Sequence, residues 1–311
     1  MQRGLGIKPD AVTCLAVSTE IADPRHANIA ARPLAEVVAA IWEGQRAAVA
    51  SLEGRLPAIA RAAGAMAERL RDRSGRIAYA GAGTSGRVAV QDGVELVPTF
   101  GWDPARLIYL LAGGTAALTG AVEGAEDDGD AGRAAVLQHS LGPADVLIAL
   151  AASGSTPFSC EALETARARG ALTIGIANNP GSRLLRGAEY PILADTGAEV
   201  IAGSTRMAAG TAQRAALTIL SSAAMVALGL VHQGRMVAMR PTNAKLKARA
   251  AAMVAELAGA TQDRATEALA QSEGDISLAV LIARGMDPRN AAALLARHHG
   301  RLAAALEEGT R

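Results

Sequence analysis

The middle of the chain alternates short apolar runs with segments of helical periodicity, and this alternation constrains the fold more than any other feature. The apolar runs are strand-like and end in small or polar residues; in order they read RIAYAG, RLIYLLAG, DVLIALAA, LTIGIANN and YPILAD, between residues 76 and 195. Strands separated by helices pair in parallel with right-handed crossovers, and the helices cover both faces of the sheet. The sequence therefore predicts a three-layer α/β fold.

Helical patterns precede and follow the sheet. Apolar residues recur at helical spacing from Leu34 to about Arg73, with Pro57 placed to open a second helix. A further helix is predicted through AALTGAVEGAEDD, between the second and third strands, and a long apolar one to about Leu230. From Thr261 the pattern shortens into three or four small capped helices. We divide the chain into an irregular N-terminal arm (1–32), a central domain (33–245) and a C-terminal helical module (246–311).

Charge and cysteine content exclude several classes of protein. The formal net charge of +1 gives no general attraction to nucleic acid or to an anionic membrane. No segment sustains the apolar run that a membrane helix needs. Two cysteines in 311 residues are too few for a disulfide framework or a metal cluster. We expect a cytoplasmic protein without a metal and with neither nucleic acid nor a membrane as partner.

The first strand leads into a loop with the spacing G-x-G-x-x-G, in the segment GAGTSGR that begins at Gly81. Such a loop lets the backbone approach an anion, and the following helix directs free N–H groups toward it. A dinucleotide site would also need an acid at the end of the next strand, and LIYLLAGGT has none. Gly83 and the hydroxyls of Thr84 and Ser85 therefore indicate a different phosphate ligand.

A second loop of the same kind follows the third strand. The segment AASGSTP supplies Ser153, Gly154, Ser155 and Thr156 before Pro157 opens a helix. Ligands of open α/β sheets bind beyond the carboxyl ends of the strands, so both loops lie where a ligand is expected. Two hydroxyl-rich turns suit a compact phosphomonoester better than a long cofactor, although any single hydroxyl there could simply cap its helix.

Two acidic segments are candidates for proton transfer. Glu95 lies in QDGVELVPTFG, and Glu126 lies in the acidic run VEGAEDDGD. An acidic run of this kind is usually a solvated face or a helix cap. The residues alone therefore assign neither glutamate a role.

Taken in order, the motifs resemble those of N-acetylmuramic acid 6-phosphate etherases, which belong to the sugar isomerase (SIS) superfamily. The motifs are GAGTSGR, VELVPTFG, LAGG, VEGAEDD, AASGSTP, AGSTRMAAGTAQ and TNAKL, and the likeness runs from about Thr19 to the C-terminus. The resemblance implies an SIS-type three-layer fold with a parallel, flavodoxin-like sheet and a small C-terminal helical module. The range 33–245 is then the SIS domain, which binds the sugar phosphate and carries the catalytic residues.

The resemblance also implies a reaction in amino sugar recycling: N-acetylmuramic acid 6-phosphate and water give N-acetylglucosamine 6-phosphate and D-lactate, without a cofactor. In the open-chain aldehyde the carbonyl activates the C2 proton, so a carboxylate can act as base without a metal. The departing lactate needs a proton from an acid. Glu95 matches the glutamate that handles the proton of the lactate, and Glu126 matches a second catalytic glutamate.

Substrate contacts are implied in the same way. Four hydroxyl residues match positions where SIS proteins hold the sugar phosphate: Thr84, Ser85, Ser153 and Thr156. Two residues of GSTR, Ser204 and Thr205, match further substrate contacts. The sequence departs from the family pattern at Ala208, where lysine is usual, and has Arg214 at a second lysine position. A lost cation near an anionic substrate is expected to weaken binding or alter the preferred sugar.

The spacing within the first motif predicts a homodimer. If the helix after Ser85 runs unbroken to Glu95, ten residues place that carboxylate roughly 15 Å from its own phosphate loop. A hexose phosphate does not bridge this length within one subunit. We therefore expect Glu95 to serve a sugar that is held mainly by a partner chain, with active sites at the interface.

Two other functions fit the same fold. One is a noncatalytic sensor of sugar phosphates, as in the glucokinase regulatory proteins, and the other is an aldose-ketose isomerase that removes the same C2 proton. A sensor has no need for an acid and a base, so the presence of Glu95 and Glu126 favours an enzyme. The combination of VEGAEDD with GSTR resembles the etherases rather than the isomerases.

Overall fold

The structure is a computed structural model that describes residues 17–71 and 74–309. Within these ranges a single sheet contains five strands in the order β2-β1-β3-β4-β5, and every pairing is parallel. The strands are β1 (Ile77–Gly81), β2 (Leu107–Leu111), β3 (Val146–Ala151), β4 (Leu172–Ala177) and β5 (Tyr190–Leu193). This is the order of a flavodoxin-like sheet, so the predicted α/β fold is confirmed.

Twelve α-helices surround or follow the sheet in the described residues. The first seven are α1 (Leu34–Ala50), α2 (Leu56–Leu70), α3 (Gly83–Phe100), α4 (Gly129–Gln138), α5 (Pro157–Ala168), α6 (Arg183–Gly187) and α7 (Ala208–Ala227). The last five are α8 (Ala244–Ala258), α9 (Gln262–Gln271), α10 (Ile276–Ala283), α11 (Pro288–Arg297) and α12 (Leu302–Gly309). None of them combines the length and the apolar character that crossing a bilayer requires.

The sheet is buried on both faces because alternate side chains of its strands point to opposite layers. In β3, Val146 and Ile148 pack in one apolar cluster with residues of α2, α3 and α7. Leu147 and Ala149 pack in a second cluster with residues of α4, α5 and α6. The three predicted layers are therefore present, with the sheet in the middle.

The last five helices enclose an apolar cluster of their own. Its fully buried members include Val254, Val280 and Leu302, and Val237 and Met239 join it from the segment before α8. Three or four short helices were predicted from Thr261, and the structure has four, α9 to α12. The division into the ranges 1–32, 33–245 and 246–311 stays a prediction.

Part of the predicted arm packs on the sheet domain. Ser18 donates both its backbone amide and its hydroxyl to Asn179 Oδ1, each at 2.7 Å, and Thr19 is completely buried. Three short 3-10 helices then lead to α1; they are Ser18–Glu20, Pro24–His26 and Ile29–Ala31. Residues 1–16 of the predicted arm lie outside the described residues.

The helix predicted through AALTGAVEGAEDD is wrong. A 3-10 helix, Gly114–Leu118, is followed by turns until α4 begins at Gly129. Gly124 has a φ of +72°, a left-handed conformation that an α-helix cannot contain. The acidic run is therefore an irregular loop, which can bring its side chains to a site at the edge of the sheet.

Candidate active site

The carboxyl ends of the central strands, here called the carboxyl edge, lead directly into both predicted loops. The first loop lies between β1 and α3, where Ala82 has an extended backbone and makes no side-chain cap. Gly83 has a φ of +51°, which glycine adopts without strain. A Cβ on Gly86 would lie 2.2 Å from Leu111 Cδ1 and 2.9 Å from the carbonyl oxygen of Gly81. Glycine at position 86 therefore lets α3 pack directly against the sheet.

The hydroxyl residues of the first loop lie in the first turn of α3. The amides of Gly83, Thr84 and Ser85 belong to the turn that has no intrahelical acceptor. Thr84 is half-buried, and a Cβ on Gly210 would meet its methyl group at 3.2 Å. Ser85 is buried. The start of α3 thus has open amides of the kind that favour an anion, and it lies next to the first turn of α7.

The second loop gathers four of the predicted residues at the start of α5. Ser153 Oγ accepts a hydrogen bond from the Ser155 amide at 3.2 Å and lies 3.5 Å from Thr156 Oγ1. Gly154 has a φ of +70°, and a Cβ there would lie 2.1 Å from Ser182 Oγ, so the position requires glycine. Thr156 precedes α5 without capping it through its side chain. The Thr156 hydroxyl therefore accepts no hydrogen bond from the first amides of α5.

Glu126 lies beside the second loop, because its carbonyl accepts the amide of Phe158, the second residue of α5, at 3.1 Å. Its side chain is exposed. Arg87 of α3 donates to the carbonyls of Ala117 and Gly120, both at 2.9 Å. The acidic loop is thus fastened at one end to the helix of the first phosphate loop and at the other to the helix of the second.

Glu95 does not join the two loops within one chain. It lies on the exposed surface of α3, which is continuous from Gly83 to Phe100. At 1.5 Å per residue, its backbone is roughly 15 Å from that of Ser85. The condition on which the sequence predicted a shared site, an unbroken helix, is therefore met.

The last two predicted contacts, Ser204 and Thr205, lie in the loop before α7. Both are half-buried. The Gly203 amide donates to the carbonyl of Thr19 at 3.2 Å, and the Thr205 carbonyl accepts the Gly210 amide at 2.8 Å. The loop is therefore held between the N-terminal segment and the helix that contacts Thr84.

Sequence reasoning missed a carboxylate that closes the start of α7. Glu199 is buried, and its two oxygens accept the amides of Ala208 and Ala209, each at 2.9 Å. Ala208, where the family pattern has lysine, is itself buried. The start of α7 is therefore occupied by the chain's own anion.

Two amides after β4 were also missed. Asn178 donates to the Ala194 carbonyl at 2.8 Å and accepts from Gln213 Nε2 at 3.0 Å. Asn179 holds Ser18 and donates to the Ala152 carbonyl at 2.9 Å. Adjacent asparagines directly after a buried strand were the available signal, since buried amides need partners from several segments.

A third missed group is a buried polar cluster between α3 and α7. Asp92 accepts hydrogen bonds from Tyr79 Oη at 2.9 Å, Ser221 Oγ at 3.2 Å and Arg214 Nη1 at 3.1 Å. Burial raises the pKa of the Asp92 carboxyl above its ordinary value, and the hydrogen bonds and the arginine charge oppose that shift only in part. Arg214 extends from this cluster toward the surface.

Arg214 reaches a cleft of about 410 Å³ between the two helices, here called the α3/α7 cleft. Its lining residues are Thr84, Val88, Arg206, Gly210, Thr211, Arg214 and Ala215. The cleft thus begins at Thr84 of the first glycine-rich loop. In the described ranges no cluster of three or more His, Cys, Asp and Glu side chains is arranged to hold a metal ion.

Family models, curated relatives and solved structures are similar to this chain. A family model of the glucokinase regulatory protein N-terminal SIS domain matches residues 58–167, and the SIS domain model matches residues 131–223. N-acetylmuramic acid 6-phosphate etherase of Deinococcus radiodurans is 45% identical over 94% of this chain and 95% of its own. The etherase of Streptomyces avermitilis is 41% identical, with 95% of each chain covered. A solved phosphoheptose isomerase from Francisella tularensis has 20% identity and a TM-score of 0.45, covering 62% of this chain and 97% of its own.

Proposed function

The chain belongs to the N-acetylmuramic acid 6-phosphate etherase family and cleaves the lactyl ether of that sugar phosphate, and from this premise we propose how its residues perform the reaction. The products are N-acetylglucosamine 6-phosphate and D-lactate. The observation that supports our assignment of the site is the meeting of two helix starts that lack side-chain caps and are rich in hydroxyls with a loop that carries Glu126. We also propose a cytoplasmic location, because two cysteines do not form a disulfide framework.

The phosphate binds between the starts of α3 and α5. Both helices begin at the carboxyl edge, and neither has a side-chain cap that competes with a ligand. The free amides come mainly from α3, because Pro157 of α5 has no N–H and the Phe158 amide donates to the Glu126 carbonyl. The hydroxyl side chains that complete this site are Thr84, Ser85, Ser153 and Thr156. The start of α7 is excluded because Glu199 already occupies its amides. Ser204 and Thr205 contact the sugar from the side of α7.

The reaction is an elimination followed by a hydration. Glu126 removes the C2 proton of the open-chain aldehyde, a double bond forms between C2 and C3, and the C3–O bond breaks. Glu95 gives a proton to the departing lactate oxygen, so lactate leaves without a free alkoxide. Water then adds its oxygen to C3 and a proton to C2, and the sugar closes again.

The active site is shared between two copies of the chain. Large apolar side chains are exposed on the outer surfaces of α1, α3 and α7; they include Leu34, Val38, Trp42, Val94 and Val226, exposed by 51 to 76%. Exposed large apolar side chains on three helices support an interface between two copies of the chain, where contact would cover them. A two-fold axis near Val90, midway between Ser85 and Glu95 on α3, places Glu95 of each chain opposite the first loop of the other.

Release of D-lactate from N-acetylmuramic acid 6-phosphate, without added metal, tests the reaction. We expect the wild-type protein to release lactate, and a Glu95→Gln variant to be slower by about 10² to 10⁴-fold, because a positioned acid contributes that much. The sugar phosphate should still bind to the variant. Binding without lactate release in the wild type would favour a sensor, and conversion of an aldose phosphate to a ketose phosphate would favour an isomerase.

Mixed dimers test the shared site. Glu95→Gln chains combined with Thr156→Ala chains should regain part of the activity that each lacks alone, because one of the two sites then has both intact parts. Homodimers of each variant, carried through the same mixing procedure, are the controls. No recovery in verified mixed dimers contradicts a site built from two chains.

A further inference from the structure

The α3/α7 cleft contains two arginines and two threonines, and no carboxylate is among its lining residues. We infer that this cleft binds the carboxylate of the lactyl group, with Arg214 and Arg206 as the residues that distinguish the ether substrate from the product sugar phosphate. This inference rests on the proposed function, because it concerns the second anionic group of that same substrate.

Arg214 is held in place from below. Its Nη1 donates to Asp92 Oδ1 at 3.1 Å and to Thr218 Oγ1 at 2.5 Å. A guanidinium has five N–H donors on Nε, Nη1 and Nη2, which together form a planar fork. The two hydrogen bonds from Nη1 leave the N–H groups of Nε and Nη2 unused. Within the described residues, Nε and Nη2 of Arg214 have no hydrogen-bond partner. The fork is therefore fixed at one corner and available to a ligand in the cleft.

The buried carboxylate explains why this arginine is rigid. Asp92 also accepts hydrogen bonds from Tyr79 and Ser221, so its position is set by a strand and by two helices. An arginine anchored in this way loses little side-chain freedom when it binds an anion. Asp92 does not line the cleft, and we assign it a positioning role.

Arg206 supplies a second, less constrained charge. Its side chain is exposed on the loop before α7, and among the described residues it forms no ion pair. Its charge thus adds to that of Arg214 on the same cleft. Asp92 pairs with Arg214 but does not line the cleft, so the two guanidinium charges exceed the one carboxylate charge nearby and favour an anionic ligand.

Geometry favours the lactyl carboxylate over the phosphate. The phosphate already has two helix starts and four hydroxyls, all at the carboxyl edge. Gly210 contacts Thr84, and Arg214 lies one helical turn further along α7, about 6 Å away. A planar fork matches a carboxylate with two parallel hydrogen bonds. One hexose can therefore hold its phosphate at the first loop while its lactyl group enters the cleft.

Paired ligands test this assignment. N-acetylmuramic acid 6-phosphate has the carboxylate, and N-acetylglucosamine 6-phosphate lacks it but has the same phosphate. We expect Arg214→Gln to lower kcat/KM for the first ligand by about 10 to 100-fold, the range for a lost charged hydrogen bond, and to leave the calorimetric Kd of the second within about twofold. Arg206→Gln should act in the same direction with a smaller effect, and Arg214→Lys should restore only part of the affinity.

The controls separate binding from folding. Arg289→Gln removes an exposed arginine from α11, far along the chain from the cleft, and should change neither ligand's binding. If Arg214→Gln lowers the melting temperature because Asp92 loses its partner, Arg206→Gln still tests the cleft, since Arg206 is exposed. Equal loss of affinity for both ligands would assign the arginines to the phosphate and overturn the inference, as would no change for either ligand.

Failure of the carboxylate subsite and failure of the proposed etherase reaction give different results. Calorimetry of both ligands is done in a Glu95→Gln background, with and without each arginine substitution, so that turnover of the ether substrate is slowed by about 10² to 10⁴-fold and the heat reports binding. A wild-type protein that releases no D-lactate refutes the proposed function, whereas a carboxylate-dependent gain in affinity that disappears in Arg214→Gln still supports the subsite. Released lactate together with unchanged binding in both arginine variants refutes the subsite alone.

Discussion

The helices of the C-terminal region and those at the carboxyl edge begin in opposite ways. In the C-terminal region each of four successive helices starts with a side chain that accepts one of its first free amides; these residues are Asn243, Thr261, Asp275 and Asp287. At the carboxyl edge, α3 follows Ala82 and α5 follows Thr156, and neither residue caps its helix. The C-terminal helix starts are closed by side chains of the preceding residues, whereas neither start that we assign to the phosphate has a side-chain cap. Of these two, α3 keeps its first amides open, and α5 donates its Phe158 amide to the Glu126 carbonyl.

A third helix, α7, also begins at the carboxyl edge without a cap from the preceding residue, but its first amides are not free. The residue before α7, Met207, makes no cap, yet Glu199 from an earlier loop occupies the amides of Ala208 and Ala209. An uncapped residue before a helix is therefore not enough to identify an open start. The amides themselves must be free, as they are at α3.

Closing the start of α3 should have the largest effect. Ala82→Asp places a carboxylate where it can accept the first amides of α3, so it competes with the phosphate and repels it. We expect kcat/KM to fall by about 100-fold or more, since charged hydrogen bonds are lost and a like charge is added. Steady-state kinetics with thermal melting of the same protein measures both effects.

An Ala82→Asn variant is the matched control, because it can cap the helix without a charge. It should lose less activity than Ala82→Asp. Retention of full activity by the aspartate variant would show that the phosphate does not bind at the start of α3.

The same substitution at two threonines compares the two regions directly. Thr156→Ala removes a hydroxyl that does not cap α5, so we expect kcat/KM to fall by about tenfold with little change in melting temperature. Thr261→Ala removes the acceptor of the Arg264 amide, so we expect a loss of about 1 kcal/mol and a melting temperature lower by about 2 °C, with unchanged kinetics. The reverse result, with stability lost at Thr156 and activity lost at Thr261, would contradict the difference between the regions.

The smallest expected effect is on stability and concerns the amino edge of the sheet, opposite the carboxyl edge. There the Asp145 carboxylate is hydrogen-bonded by Arg76 and by the Gly142 amide. Burial raises the pKa of the Asp145 carboxyl, but hydrogen bonds from Arg76 and from the Gly142 amide outweigh burial, and the net pKa lies below the ordinary value. A lowered folded pKa gives stability that is present above the unfolded pKa, near 3.8, and is lost as the pH falls through the folded value. The free energy of unfolding should therefore decline as the pH falls below about 4.

Asp145→Asn tests this dependence. The variant should be less stable than the wild type at neutral pH and should lose less stability on acidification, because it lacks the titrating group. Denaturant unfolding at several pH values measures both. Parallel pH profiles for the two proteins would show that Asp145 does not contribute to the acid dependence.

Most of the fold could be predicted from local patterns. The strands were recognisable because a buried parallel strand is a short apolar run, and the helices around them because their apolar residues recur at helical spacing. A helix was predicted around Gly124 because the composition of this segment suits one. Gly124 has a positive φ, which an α-helix does not contain. Both loops that we assign to the phosphate were recognisable as strand-to-helix loops because glycine and hydroxyl residues directly follow buried strands.

The sequence alone determined the order of the five strands along the chain, the two loops that follow β1 and β3, and the positions of Glu95 and Glu126, since each of these depends on neighbouring residues. The tertiary structure decided which helix starts are open and which residues meet in the α3/α7 cleft. Arg214 and Asp92 are 122 residues apart in sequence. Glu199 binds the first amide of a helix that begins nine residues later, and no sequence motif links the two positions. Such pairings depend on how α3 and α7 pack on one face of the sheet, and no local periodicity records that packing.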